Sequence, residues 1–168
     1  NYKKSTEYSY LKQEEVAHRI ATQVSDFLND YEQRLRYFAE SRDLKRLSYE
    51  ALHDQLSEFL MKSRVFADVS LVGIDAVEIG GISGTQLISL DRRSSYLSSP
   101  EFNAALKDKQ FHASKIYFHP ETGEPLLTLA LPVFDLKSGD MPLILMATAR
   151  IRSIWELVSR IDKNIADD

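Results

Sequence analysis

The chain has 168 residues, of which 43% are apolar and 27% charged, with 21 basic against 25 acidic side chains and no cysteine. This length and composition predict one globular domain with a substantial core. The lack of cysteine excludes disulfides, thiolate chemistry and cysteine-ligated zinc. A formal net charge of −4 gives no general attraction to nucleic-acid phosphates, and no apolar run approaches the roughly 20 residues that cross a bilayer.

Long helices are predicted at both ends of the chain. All six glycines and all five prolines lie between Gly73 and Pro142, so the flanks lack the residues that most often break helices. From about Ser5 to Arg42, apolar residues recur at spacings of three and four, which indicates one long helix. A final helix is predicted from Ser153 to Asn164 by the same spacing.

Two shorter helices are marked by their start signals. Ser48 is the expected N-cap of a helix that runs to Lys62 and packs back on the first. Ser99 is the expected N-cap of another, with Pro100 at its first helical position.

The centre of the chain has strand-like segments bounded by turn residues. Five strands are predicted, namely Phe66–Asp75, Ala76–Gly80, Phe111–His119, Pro125–Asp135 and Met141–Ile151. Short turns join the last three, which favours an antiparallel meander. The glycines of Gly80–Gly84 lack the spacing of a phosphate-binding loop and are interpreted as a turn. The order of elements predicts an α+β fold, with the long N-terminal helix and second helix packed on a central antiparallel sheet and a C-terminal exit helix.

No catalytic or metal-binding pattern is apparent. The serine segment Gly81-Ile-Ser-Gly84 is one residue too short for a nucleophile elbow, and no carboxylate pair stands out as an acid and base. We therefore expect no catalysis by this domain, no metal site and no cofactor. The four histidines lack metal-ligand spacing; they are His18, His53, His112 and His119.

Three segments carry a resemblance to a known family: Val65–Asp75, Ser114–Pro125 and Leu129–Asp135. They resemble the Cache sensor domains, the PAS-like (PhoQ–DcuS–CitA-type) extracytoplasmic modules of bacterial transmembrane receptors, and the resemblance covers essentially the whole chain. It implies a single sensor domain over 1–168. Residues 1–64 would form the helical arm and hairpin, 65–152 the sheet with the pocket segment, and 153–168 the exit helix.

The resemblance also implies a function and a location. The chain would be the periplasmic part of a bacterial inner-membrane receptor, attached to the membrane only by transmembrane helices outside it; the start at Asn1 without Met fits such a fragment. It would bind a small molecule and pass the signal through its flanking helices. The output module would be a histidine kinase of a two-component system, a diguanylate cyclase or a chemoreceptor.

The resemblance places the ligand pocket between the sheet and the segment before the meander. Arg92, Arg93 and Tyr96 are the candidates in that segment, and Lys115 with Tyr117 are the candidates on the Phe111–His119 strand. Tyr117 would correspond to a ligand-facing tyrosine of amino-acid-binding members. The arginines and the lysine could bind a carboxylate.

Two departures from the amino-acid-sensing pattern affect the expected ligand. The connecting segment has no Trp-Tyr pair, and the last strand lacks the aspartate that would hold an ammonium group. These differences disfavour an amino acid and leave a small carboxylate, or no ligand at all.

A homodimer is expected through the apolar stripe of the first helix, at Ile20, Val24, Phe27 and Tyr31.

Two other functions are compatible with the sequence. The main alternative to a ligand sensor is a ligand-free dimerisation or periplasmic protein-interaction module of such a receptor. A cytosolic enzyme domain is a weaker alternative, which hydrophobic segments on either side of the chain would exclude.

Overall fold

The structure is a computed structural model that describes residues 2–84, 86–87 and 96–166. The chain divides into two compact units, one made of residues 1–31 and 152–168 and the other of residues 32–151. The long predicted helix is α1, Tyr2–Glu40, whose first part belongs to the first unit. The exit helix is α4, Arg152–Ala166, also in the first unit. None of the helices within the described ranges has the length and apolarity of a membrane span.

The second unit contains two further α-helices with the predicted N-caps. A 3₁₀ turn, Leu44–Arg46, leads to α2, Tyr49–Lys62, where the Ser48 hydroxyl accepts a hydrogen bond from the Ala51 amide at 3.2 Å. In α3, Pro100–Asp108, the Ser99 hydroxyl accepts from the Phe102 amide at 3.3 Å. Each serine therefore satisfies one of the amides that a helix start leaves without a partner.

The sheet has four long strands and three two-residue strands, all paired antiparallel. The strands are β1 Phe66–Gly73, β2 Glu78–Ser83, β3 Gln86–Leu87, β4 His112–Ala113, β5 Tyr117–Phe118, β6 Pro125–Val133 and β7 Leu143–Arg150. Their spatial order is β3-β2-β1-β7-β6-β4, and β5 also pairs with β6. The predicted α+β class and antiparallel sheet are confirmed.

Each face of the sheet is covered by different helices. On one face α2 packs on β1 and β2, and Phe59 stacks between Phe38 of α1 and Phe66 of β1, with ring centroids 4.6 and 5.4 Å away. On the other face α3 covers an apolar cluster. Its fully or nearly fully buried members are Val72, Ala76, Phe102, Ala105, Ala130, Ile144 and Met146.

The prediction of one continuous strand over Phe111–His119 is wrong. Within this segment only the two-residue strands β4 and β5 pair with β6, and the chain between them is not part of a strand. The reason is Ser114, whose amide donates to the Thr128 carbonyl and whose hydroxyl accepts from the Thr128 amide, both at 2.8 Å. A short polar side chain thus takes over hydrogen bonds that a regular strand would make through its backbone.

The glycine-rich segment is also different from its prediction. Gly80 and Gly81 lie inside β2, and only Gly84 is in a turn, with φ +60°. A Cβ built on Gly80 would stand 2.9 Å from Leu52 Cδ2 and 3.2 Å from His53 Cε1. A larger residue at position 80 would therefore have to displace the buried Leu52 and His53 side chains of α2, which pack against this strand.

Candidate functional site

A cavity of about 380 Å³ opens on the same face of the sheet as α3. Its volume lies within the range of small-molecule sites in proteins. The lining is mainly polar, and among the described residues it contains three carboxylates and no basic side chain. The lining residues are Asp68, Ser70, Glu78, Ser83, Tyr96, Ser99, Glu101, Thr128, Met146, Ala147 and Thr148.

A row of polar side chains crosses the sheet at one side of this cavity. We call it the polar row, and its members are Ser83, Asp68, Thr148, Thr128 and Tyr117. The first four are consecutive cross-strand partners on β2, β1, β7 and β6, and directly paired residues project to the same face. Tyr117 of β5 joins the row because its hydroxyl lies 3.0 Å from Thr128 Oγ1. The polar row thus places polar side chains from five strands along one face of the sheet.

A second polar group surrounds Tyr96. The Tyr96 hydroxyl donates to Glu78 Oε1 at 3.3 Å and is also hydrogen-bonded to Ser70. The Tyr96 amide donates to the carbonyl of Ala76 at 2.9 Å, and its ring lies 6.1 Å from that of Phe102. Tyr96 is therefore held by the β1–β2 turn and by α3, which fixes its hydroxyl at the cavity.

Burial changes the protonation behaviour of this region. It raises the pKa of Asp68, and the Glu78 carboxylate adds to this effect, while hydrogen bonds from the Thr148 side chain and amide and the positive charge of Arg150 oppose it. Burial likewise raises the pKa of Tyr96 to about 12. The Tyr96 hydroxyl therefore stays a hydrogen-bond donor at all physiological pH values, and burial disfavours the charged form of Asp68.

The structure brings some of the predicted ligand residues to the cavity. Tyr96 lines it, and Tyr117 contacts it through Thr128. Lys115 is exposed in the irregular segment between β4 and β5 and is not a lining residue. Arg92 and Arg93 lie outside the described residues. Ligand binding by any of these five residues stays a prediction.

The stripe predicted for a dimer lies on α1 in the first unit. Val24 and Phe27 are half-buried, and the side chain of Ile20 lies outside the described residues. Tyr31 is 2% exposed, and its ring centroid is 4.2 Å from that of Phe27. Tyr31 therefore supports Phe27 from within the monomer.

Sequence reasoning missed the acidic side chains of the cavity. Asp68 and Ser70 alternate with buried Val69 and Leu71 along β1, and this alternation was the available signal for a polar face. The expectation against an amino-acid ligand relied on two departures, the lack of a Trp-Tyr pair in the connecting segment and the lack of an aspartate in the last strand. Asp68 supplies a carboxylate next to that strand, so the second ground for the expectation is removed.

A second cavity, of about 230 Å³, lies between the end of α1 and the β6–β7 connection. Its Arg42 is already engaged, because the guanidinium donates to Gln55 Oε1 at 2.6 Å and lies 4.6 Å from the Phe38 ring centroid. The cavity on the sheet face is thus the better candidate site, since its polar groups converge on one space between a helix and several strands.

No protein-family model and no curated protein matches this chain, but its fold is similar to that of several solved structures. The ligand-binding domain of the Pseudomonas aeruginosa amino-acid chemoreceptor PctC, in complex with GABA, has a TM-score of 0.70 at 15% identity over 89% of this chain and 65% of that one. The sensory domain of the Campylobacter jejuni chemoreceptor Tlp3 has a TM-score of 0.70 at 13% identity, over 91% and 65%.

A domain of a sensory box/GGDEF family protein from Vibrio parahaemolyticus has a TM-score of 0.61 at 12% identity, over 80% of this chain and 57% of that one. This chain thus spans less than two thirds of the length of the domains it matches. At identities this low, the structural similarity shows a shared fold and nothing more. The chain has the fold of the Cache (PAS-like) extracytoplasmic sensor domains of bacterial receptors.

Proposed function

We propose that this chain is the extracytoplasmic ligand-sensing domain of a bacterial membrane receptor, and that it binds a small molecule without catalysing a reaction. The observation that carries the proposal is the cavity on the sheet face, where the polar row and the Tyr96 group converge. The similar solved structures support it, because two of them are sensor domains of chemoreceptors.

The rest of the receptor is proposed on the same basis. Residues 1–168 would act as one sensor domain in the periplasm, with α1 and α4 leading to transmembrane helices. A histidine kinase, a diguanylate cyclase or a chemoreceptor would be the output module. A ligand would act by binding one arrangement of the sheet and exit helix better than another, and its effect is limited by that difference in affinity.

The carboxylate ligand suggested by Arg92, Arg93 and Lys115 is one candidate chemistry. It depends on the two arginines supplying positive charge to a cavity whose described lining is acidic. That lining favours a positively charged group.

A ligand panel tests the proposed function. We expect at least one small metabolite, from a panel of carboxylates, amino acids and amines, to raise the melting temperature in a thermal-shift assay. Tyr117→Phe removes the hydroxyl that contacts Thr128. It should lower the affinity for that metabolite roughly three- to tenfold, which is the effect of losing one hydrogen bond, and so reduce the thermal shift at a given ligand concentration. Tyr37→Phe is the matched control, since Tyr37 is 76% exposed on α1. A flat response to the whole panel would contradict direct sensing.

Self-association is proposed through α1, with Val24 and Phe27 as the contact residues and Tyr31 behind them. We expect sedimentation velocity to show a concentration-dependent dimer, and Val24→Asp to shift it toward the monomer, because a buried unpaired carboxylate strongly disfavours an apolar interface. A dimer without any ligand response would favour the alternative, a ligand-free dimerisation module. A sedimentation coefficient that does not change with concentration or with Val24→Asp would contradict the dimer.

A further inference from the structure

A histidine lies in the core on the face of the sheet that α2 covers. His53 is 5% exposed, and a Cβ built on Gly80 would stand 3.2 Å from its Cε1 atom and 3.6 Å from its Nε2 atom. Gly80 pairs with Leu71 of β1. The cavity residue Glu78 pairs with the next residue, Val72, and neighbouring residues of a strand face opposite ways. The ring edge that carries Nε2 thus packs on the side of β2 opposite the cavity.

The hydrogen bonds of this ring leave one nitrogen without a partner. His53 Nδ1 lies 2.7 Å from the carbonyl oxygen of Tyr49, one helical turn earlier, and the Tyr49 ring packs beside it with centroids 3.9 Å apart. Because a carbonyl oxygen can only accept, Nδ1 carries the ring hydrogen and Nε2 holds a bare lone pair. Nε2 is buried and, among the residues that the structure describes, has no hydrogen-bond partner. Buried polar atoms are normally paired, so Nε2 is an exception.

The charged groups of the elements around His53 do not compensate Nε2. On α2 the carboxylates nearest in sequence, Glu50 and Asp54, are exposed to solvent. On β2, Glu78 lines the cavity on the opposite face. The charge that α1 brings to α2 is positive, because the Arg42 guanidinium is hydrogen-bonded to a side chain of α2. A proton added to Nε2 would therefore have no acceptor within the described part of the chain.

A second proton on this ring would have opposite consequences in the folded and the unfolded chain. It turns Nε2 into a donor and the imidazole into a cation, and histidine side chains change charge between about pH 5 and about pH 8. In the unfolded chain water solvates both the donor and the charge. Between α2 and β2 neither would be satisfied, and burying an unpaired charge is costly. Acid therefore works against the packing of α2 on β2.

The strand behind His53 also forms part of the ligand cavity. Glu78 and Ser83 of β2 line the cavity on the other face, and the Tyr96 amide donates to the Ala76 carbonyl in the β1–β2 turn. An arrangement with α2 loosened from β2 would let Nε2 reach water, so protonation favours that arrangement. It would also leave one wall of the cavity without its support.

We infer that His53 is a pH-sensitive contact between α2 and β2, and that acid shifts the domain toward an arrangement in which α2 is loosened from this strand. This gives the domain an input that is separate from its ligand cavity. The inference goes beyond the proposed ligand sensing, and it is tested on the protein without any ligand. Its failure would therefore leave the proposed function untouched.

Urea denaturation at about pH 7.5 and about pH 5 tests the pH dependence, with wild type compared to His53→Phe and His53→Gln. A proton bound only by the unfolded chain lowers the folding equilibrium constant by about tenfold per pH unit. We expect acidification to lower the ratio of folded to unfolded protein roughly ten- to thirtyfold more in the wild type than in the variants. Other titrating groups are common to all three proteins and cancel in this difference.

The choice of variants keeps this test decisive. His53→Phe retains an aromatic ring beside Tyr49, and His53→Gln retains a donor for the Tyr49 carbonyl and serves if the phenylalanine variant does not fold. His18→Gln is the matched control, because His18 is exposed on α1, and it should keep the wild-type pH dependence. The same pH dependence in the wild type and in both His53 variants would overturn the inference.

Amide hydrogen exchange followed by mass spectrometry locates the change. After correction for the intrinsic effect of pH on exchange, we expect α2 and β2 to lose roughly tenfold in protection at about pH 5 in the wild type and not in His53→Gln. An equal loss over all helices and strands would mean general destabilisation and would overturn the loosening of α2. NMR of the imidazole nitrogens at about pH 7.5 should show hydrogen on Nδ1 and none on Nε2 of His53, and hydrogen on Nε2 would equally overturn the inference.

Discussion

Replacing Asp68 with asparagine should give a domain that binds its small-molecule ligand less tightly and that unfolds at a higher temperature at neutral pH. The weaker binding follows from the loss of a charged hydrogen-bond acceptor that lines the cavity, which costs about 1.5–3 kcal/mol, a loss in affinity of roughly tenfold or more. The gain in stability follows from the raised pKa of Asp68, since burial disfavours its ionised form.

The sign of the stability change can be followed with pH. A carboxyl group whose pKa is higher in the folded than in the unfolded state stabilises the fold at low pH, and this contribution is lost as pH rises through the folded-state pKa. The asparagine side chain of the variant does not ionise and carries no such penalty. The difference in melting temperature between variant and wild type should therefore be larger at about pH 7.5 than at about pH 4.

Differential scanning calorimetry at the two pH values measures the stability change, and calorimetric titration with the panel metabolite that gives the largest thermal shift measures the change in affinity. Glu121→Gln serves as control, since it removes a charge at an exposed turn and should leave both quantities within experimental error. If Asp68→Asn keeps the wild-type affinity, or lowers the melting temperature at neutral pH, Asp68 is a structural residue and does not bind the ligand.

Local signals in the sequence were sufficient to predict much of the fold. Ser48 and Ser99 begin helices as predicted, because N-capping depends only on amides two or three residues away. The antiparallel arrangement of β6 and β7 also followed from one short connection. The break between β4 and β5 was not predictable in this way. It is caused by the hydrogen bond from the Thr128 amide to the Ser114 hydroxyl, and Thr128 belongs to another strand.

The candidate site was predictable only in part, because it is made by strand register. Tyr96 was predicted from the segment that contains it, and it lies in the cavity. Asp68 lies beside Thr148 because β1 pairs with β7. These two residues are 80 positions apart in the sequence. Nothing local to Asp68 specifies that partner, so its burial and raised pKa depend on tertiary structure. An isolated acid in an apolar strand is nevertheless a signal for a functional face.

The apolar cluster between α3 and the sheet depends on Phe102, and replacement of this residue by alanine should be the most destabilising of the changes considered. Phe102 is fully buried under the sheet face in the cluster with Val72, Ile144 and Met146. Removing a buried phenylalanine side chain costs about 3–5 kcal/mol, through lost burial and the space left behind. That is a large part of the roughly 5–15 kcal/mol by which a domain is stable.

Ligand binding should change together with stability in this variant. The ring of Phe102 packs beside that of Tyr96, with centroids 6.1 Å apart, so its loss removes one of the contacts that position the Tyr96 hydroxyl against Glu78. We expect weaker binding of the ligand, because the Tyr96 hydroxyl, which lines the cavity, is then less firmly positioned.

Urea denaturation measures the change in the free energy of unfolding. Calorimetric titration measures the change in affinity for the ligand. Phe118→Ala is the matched control, because Phe118 is 49% exposed on the edge strand β5 and should cost about 1 kcal/mol or less. Phe102→Leu keeps most of the buried volume and should fold if the alanine variant does not. Equal destabilisation by Phe102→Ala and Phe118→Ala would contradict the packing described for α3, and unchanged ligand affinity in a folded variant would show that Phe102 does not support the site.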